Sequence, residues 1–115
     1  MNLKNDKYRK VEFYKNYFEE FFLKQPRNVR AKIVWTIELI EDIEHVPKTY
    51  LSPIKNGLYE IRVKLGSNIY RIFCFFYKGK IVVLMNGFVK KTQKTPKQQI
   101  TKALRIKKEY EDERK

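Results

Sequence analysis

Arg62 and Lys64 stand two residues apart in the run from Leu58 to Leu65, where Tyr59, Ile61, Val63 and Leu65 alternate with Glu60, Arg62 and Lys64. A period of two puts the three charged residues on one face of a strand and the apolar ones on the other. Arg71, the one charge in the next apolar run from Ile69 to Tyr77, joins that face if the register of the two strands allows it. Cations held this close repel, a cost more readily tolerated where an anion occupies the site, and arginine offers phosphate a two-pronged donor. The structural alternative is that Glu60 pairs across the strands with Arg71 or with Arg62, and both arrangements can hold at once. The stretch Lys90-Lys91-Thr92-Gln93-Lys94 follows the last strand and supplies a rim beside the same face; with the strand cations it makes a groove able to track a phosphate backbone.

Other chemistry has little material. His45 is the sole histidine and falls at a helix end, a surface or capping position. Cys74, the sole cysteine, is flanked by Phe73 and Phe75 inside a strand, which suits an inert buried thiol. One cysteine makes no internal disulfide, no Cys/His grouping has zinc spacing, and neither metal nor cofactor is expected. Neither a carboxylate pair nor a Ser/His arrangement is visible. The aromatics Tyr70, Phe73, Phe75, Phe76 and Tyr77, and Trp35 on a helix, are expected in the core.

The elements that position these residues follow from periodicity. A short strand is expected over 7–14, a helix over 15–24 with Phe18, Phe21 and Phe22 at helical spacing, and a second helix over 26–45 with Val29, Ile33, Ile37, Ile40 and Ile43 on one stripe. The two form a helical hairpin. Pro47 to Gly57 reads as a loop, and three antiparallel strands follow over 58–65, 69–77 and 81–85, ended by Asn86-Gly87. A last helix starts with Thr95 as N-cap, Pro96 at the first helical position and Gln98 completing a capping box, and runs to about Glu109. The sum is an α+β domain, one domain over 1–115, with a small twisted antiparallel sheet, an N-terminal helical hairpin, a C-terminal helix, and the helices on one face.

The whole-chain balance agrees with the site. The net charge is +13 with a pI near 9.8, far beyond what solubility requires. The excess is concentrated: residues 59–108 hold 13 Lys/Arg against Glu60 alone, while 1–58 carry only +3 and 109–115 carry −2. A polyanion is the expected partner, nucleic acid by default. The polar start of the chain is unlike a secretory signal and no apolar run approaches a membrane span of ~20 residues, so a cytoplasmic protein without membrane contact is expected.

Three stretches resemble the phage-derived HigB-like branch of the RelE toxin superfamily: Leu58-Tyr59-Glu60-Ile61-Arg62-Val63, Asn68-Ile69-Tyr70-Arg71-Ile72, and the run from Asn86-Gly87-Phe88 through Lys90-Lys91 to Thr95-Pro96. The resemblance implies a toxin of a type II toxin–antitoxin system, an endoribonuclease (mRNA interferase) that inhibits translation by cutting mRNA, commonly on the ribosome. Its partner would be a helix-turn-helix, HigA-like antitoxin. The family's strand arginines fall on Arg62 and Arg71, and its GF-x-KK-x-x-K motif on Gly87, Phe88, Lys90, Lys91 and Lys94. Two features depart from relatives: Phe88 stands where some carry a tyrosine hydroxyl, and the histidine-rich site of other HigB toxins is missing. In the metal-free mechanism this implies, the RNA 2′-OH attacks the adjacent phosphate, Arg62 and Arg71 stabilise the extra charge, and Lys64, Lys90 or Lys91 is the base. Lys94, Lys97, Lys78 and Lys80 are the expected RNA-binding cations. The rival readings are a ParE-like toxin acting on DNA gyrase without a nuclease site, and a basic nucleic-acid-binding module without activity.

Overall fold

The computed structural model describes residues 7–90 and 96–115. In chain order the elements are β1 (Lys10–Phe13), α1 (Tyr17–Leu23), α2 (Arg27–Asp42), β2 (Leu51–Pro53), β3 (Tyr59–Leu65), β4 (Asn68–Tyr77), β5 (Ile81–Lys90) and α3 (Lys97–Glu113). The five strands make one sheet in the order β1-β5-β4-β3-β2. β3, β4 and β5 form the expected antiparallel meander, whereas β1 pairs in parallel with β5, so the α+β sheet is mixed. The short edge strand β2 lies within the stretch read as a loop; three residues containing Pro53 are too few for a periodic signal.

The helices lie on both faces of the sheet, a correction to the one-sided arrangement expected. Val29, Ile33, Ile37 and Ile40 of α2 and Phe18 and Phe21 of α1 pack on Ile61, Val63, Ile72, Cys74 and Leu84. Ala103, Ile106 and Tyr110 of α3 pack on the opposite face, against Phe73, Phe75, Val83 and Met85. The physical reason is legible in β4, whose successive residues Ile72, Phe73, Cys74 and Phe75 are all buried. A strand without a polar side has to be covered twice.

β5 does not stop at Asn86-Gly87. Ile72 pairs with Gly87 and Cys74 with Leu84, so Met85 and Asn86 together oppose Phe73 in a β-bulge, and pairing resumes to Lys90. Asn86 is buried and its Nδ2 donates to Oε1 (3.1 Å) and the carbonyl (3.4 Å) of Gln99, which fastens the first turn of α3 to the sheet. Pro96 is the N-cap of α3 and not its first helical residue, and no side chain among the described residues caps that end, Gln98 included; Thr95 lies outside the described residues. At the other end of α3, Glu109 accepts from Lys15 Nζ (2.7 Å) and Tyr17 Oη (2.9 Å), and Tyr110 Oη donates to Glu12 (2.6 Å). α3 is thus held at both ends across the far face of the sheet.

Candidate nucleic-acid interface

Strand register assembles the site. Arg62, Arg71 and Phe88 are direct neighbours across β3, β4 and β5, and one step further along the same face Lys64, Ile69 and Lys90 form a second row. Directly opposed residues of antiparallel strands share a face. It is the face that α3 covers at its Phe73/Phe75 end. The expected cations Arg62, Lys64, Arg71 and Lys90 are therefore brought together, in two rows beyond the packed end of the sheet.

Within the cluster the arginines are not equivalent. Glu60, only 2% exposed, pairs with Arg71, only 5% exposed, and its Oε2 lies 3.9 Å from Arg62 Nε. Both proposed partners of Glu60 are thus engaged, Arg71 by direct contact and Arg62 at longer range. Arg71, expected to meet phosphate directly, is instead buried against a carboxylate; the Arg62 side chain keeps 36% of its surface open and Lys64 is exposed. Glu60 Oε1 and Arg71 Nε find no hydrogen-bond partner among the described residues. Two guanidinium groups around one carboxylate leave a net positive charge, and Lys90 and Lys64 add to it.

Lys90 is half-buried at the end of β5. Burial, and then the positive charge of Arg71, push its ammonium below the ordinary 10.5; Glu60 pulls partly the other way, and Arg62 adds a smaller downward push. A lysine that gives up its proton more readily is what general-base chemistry requires. Cys74 is fully buried and burial pushes its thiol up, which leaves it unreactive.

Other expected site residues lie elsewhere. Lys78 and Lys80 flank Gly79 in the β4–β5 turn, beyond the Tyr77–Ile81 pair at the opposite end of the hairpin from the Ile69–Lys90 pair. At roughly 3.4 Å per residue that separation is on the order of 27 Å, so these two lysines do not belong to the same rim. Lys97 is exposed at the start of α3, and Lys91 and Lys94 lie outside the described residues. His45 is exposed beside Glu44, as expected for a surface residue. Among the described residues no three His, Cys, Asp or Glu side chains converge in a way that could hold a metal ion.

Trp35, expected in the core, lies outside it: 45% of its surface is exposed, and it lies edge-on to Tyr50 with centroids 5.9 Å apart. The stripe of α2 explains this, since Ile33, Thr36, Ile37 and Ile40 take the buried face and leave positions 34 and 35 outside. Glu60 was legible only as a cross-strand partner; its alternation with Arg62 marked the face, and the register made it the hub of the cluster.

The chain is matched over residues 20–108 by the model of a family described as phage-derived protein Gp49-like (DUF891), a span that contains β2 to β5 and every described cation of the cluster. No curated protein matches it in sequence. With the match extending over most of its length, the chain belongs to the phage-derived Gp49-like family, a family of the RelE toxin–antitoxin type.

Proposed function

We propose that this protein is the toxin of a type II toxin–antitoxin pair, a single-domain HigB-like endoribonuclease that cuts mRNA on the translating ribosome in the cytoplasm and is restrained by a helix-turn-helix, HigA-like antitoxin. Family membership supports a toxin. The observation that carries the nuclease reading is the two-row cluster of Arg62, Arg71, Lys64 and Lys90 around the single carboxylate of Glu60, with the Lys90 ammonium pushed down.

In this reading Arg62 and Lys64 hold the phosphate to be cleaved. Neutral Lys90 takes the proton from the neighbouring 2′-OH, the 2′-oxygen bonds to phosphorus, and the bond to the 5′-oxygen breaks. The leaving oxygen takes a proton from solvent, so the products are a 2′,3′-cyclic phosphate and a 5′-hydroxyl. Arg62 stabilises the negative charge that grows on the phosphate oxygens. Arg71 acts at one remove: it fixes Glu60, which sets Arg62, and its charge keeps the Lys90 proton weakly held. Lys97 extends the positive surface for the strand, and Lys91 and Lys94, outside the described residues, are read as further cations for RNA.

The test is the addition of purified protein to a translation extract programmed with a defined transcript. Cleavage of the transcript at discrete positions is expected; an intact transcript would leave the gyrase-directed or non-catalytic readings in its place.

A further inference from the structure

Trp35 is the one tryptophan of the chain, and its place on the outer side of α2 gives the fold little in return for so large a ring. The indole meets Tyr50 edge-on at an interplanar angle of 64°, and Lys32 Nζ lies 4.4 Å from its centroid. Lys32 and Tyr50 in turn belong to the wall of an open groove of about 400 Å3, whose other lining residues include Arg62 and Lys64. Three of the seven lining side chains are cations and none is an acid. The groove follows the outer edge of β3 past the end of β2: β2 pairs only as far as Ile61, Arg62 N donates to the Tyr50 carbonyl (2.9 Å), and from there to Leu65 the edge has no strand partner among the described residues.

Arg62 and Lys64 are shared between this groove and the cation cluster, so the two form one continuous surface that turns around the sheet edge. An aromatic pair beside cations complements an unpaired nucleotide, which presents a flat π-face next to a phosphate. The volume sits near the lower end of the roughly 300–1,000 Å3 usual for small-ligand sites, room for one nucleotide and not for a duplex.

We infer that the groove is a nucleotide subsite: one unpaired residue of the RNA strand lays its base against Tyr50 and against Trp35, which adjoins the groove through Tyr50 and Lys32 without lining it, and sets its phosphate beside Lys32, next to the scissile phosphate that Arg62 and Lys64 hold. This rests on the RNA-cleaving reading above. Lys32, which now covers the indole, moves its ammonium to the phosphate as the base takes its place. The subsite fixes the strand at a second point, so that the cleaved bond cannot slide past Lys90.

The sole tryptophan is its own reporter. The full-length protein is titrated with a short single-stranded 2′-O-methyl RNA, which lacks the attacking hydroxyl, and with an abasic strand of equal length, while tryptophan emission and the anisotropy of labelled strand are followed. Saturable quenching by the methylated strand, and little by the abasic one, is expected. Trp35→Ala should bind about 5- to 150-fold more weakly and Trp35→Phe should recover most of the loss, as for one stacked base. The exposed position makes both variants compatible with the fold, which a melting curve verifies. Strand binding by anisotropy with unchanged emission and parent affinity in Trp35→Ala would overturn the subsite and leave the RNA reading intact. Failure of any strand to bind at low salt would overturn both. Equal quenching by an oligoglutamate peptide would assign the groove to an acidic protein segment instead, and overturn the inference.

Discussion

Lys90 shows how position makes an ordinary side chain easier to deprotonate. Its partial burial first, then the charge of Arg71 and, to a lesser degree, that of Arg62, favour the neutral amine and outweigh the opposing pull of Glu60, so the folded-state pKa lies below the ordinary 10.5. Cleavage should accordingly rise with pH as Lys90 loses its proton, with a midpoint below 10.5, and then level off. In Lys90→Arg, which keeps the charge and cannot serve as a base, that rise should vanish from the pH–rate profile at saturating RNA. The sign for stability is the same: a lysine with a lowered folded pKa opposes folding while charged, so its contribution improves as pH climbs through the folded value towards the unfolded one. The Arg71–Glu60 pair behaves differently. Removing one member of a buried ion pair leaves the other uncompensated, at a cost of about 3–5 kcal/mol, so Arg71→Ala reports on folding before it reports on chemistry. The face shared by Glu60, Arg62 and Lys64 was legible from alternation alone; which arginine is buried depends on the direct pairing of Arg62 with Arg71 and on Glu60 standing opposite Phe73, which no single-strand pattern encodes.

At the scale of elements, the fit of α1 against β5 depends on a residue without a side chain. A Cβ at Gly87 would lie 2.6 Å from Phe21 Cδ2 and 2.8 Å from Cγ, inside a ring that is itself buried. Gly87→Ala should therefore destabilise the protein by about 1–3 kcal/mol, read as a lower midpoint in urea with an unchanged slope. An unchanged midpoint would mean that α1 shifts freely. Gly87 with Asn86 reads locally as a strand end, and here local chemistry was a poor guide: the pair sits at a bulge, where Asn86 finds its partner in Gln99 of α3, a contact thirteen positions away. The amphipathic stripe of α2 and the central place of β4 were legible because burial there repeats with the period of the element. β2, the parallel pairing of β1 and the second helical layer depend on distant partners and carry little periodic signal.

Across the whole molecule the positive charge is abundant but only part of it shares one surface. Arg62, Lys64, Lys90 and Lys32 lie on one continuous surface, whereas Lys78 and Lys80 sit at the far end of the β4–β5 hairpin. If four phosphates are met, log K for single-stranded RNA should fall with log salt at a slope of about −3. Lys64→Ala should make that slope shallower by about 0.7, and Lys78→Ala should leave it close to the parent value. A larger change for Lys78 would relocate the interface.

If the Arg62 face cleaves RNA by way of the RNA's own 2′-OH, a ribosome-bound transcript followed with saturating parent protein or Arg62→Ala, with the ends of the fragments identified, will report it. The parent protein should leave 5′-hydroxyl and cyclic-phosphate ends. A folded Arg62→Ala should cut more slowly by about 10²–10³-fold, as for the loss of one transition-state donor. Cleavage by Arg62→Ala at the parent rate, or fragments bearing 5′-phosphates, would contradict this mechanism.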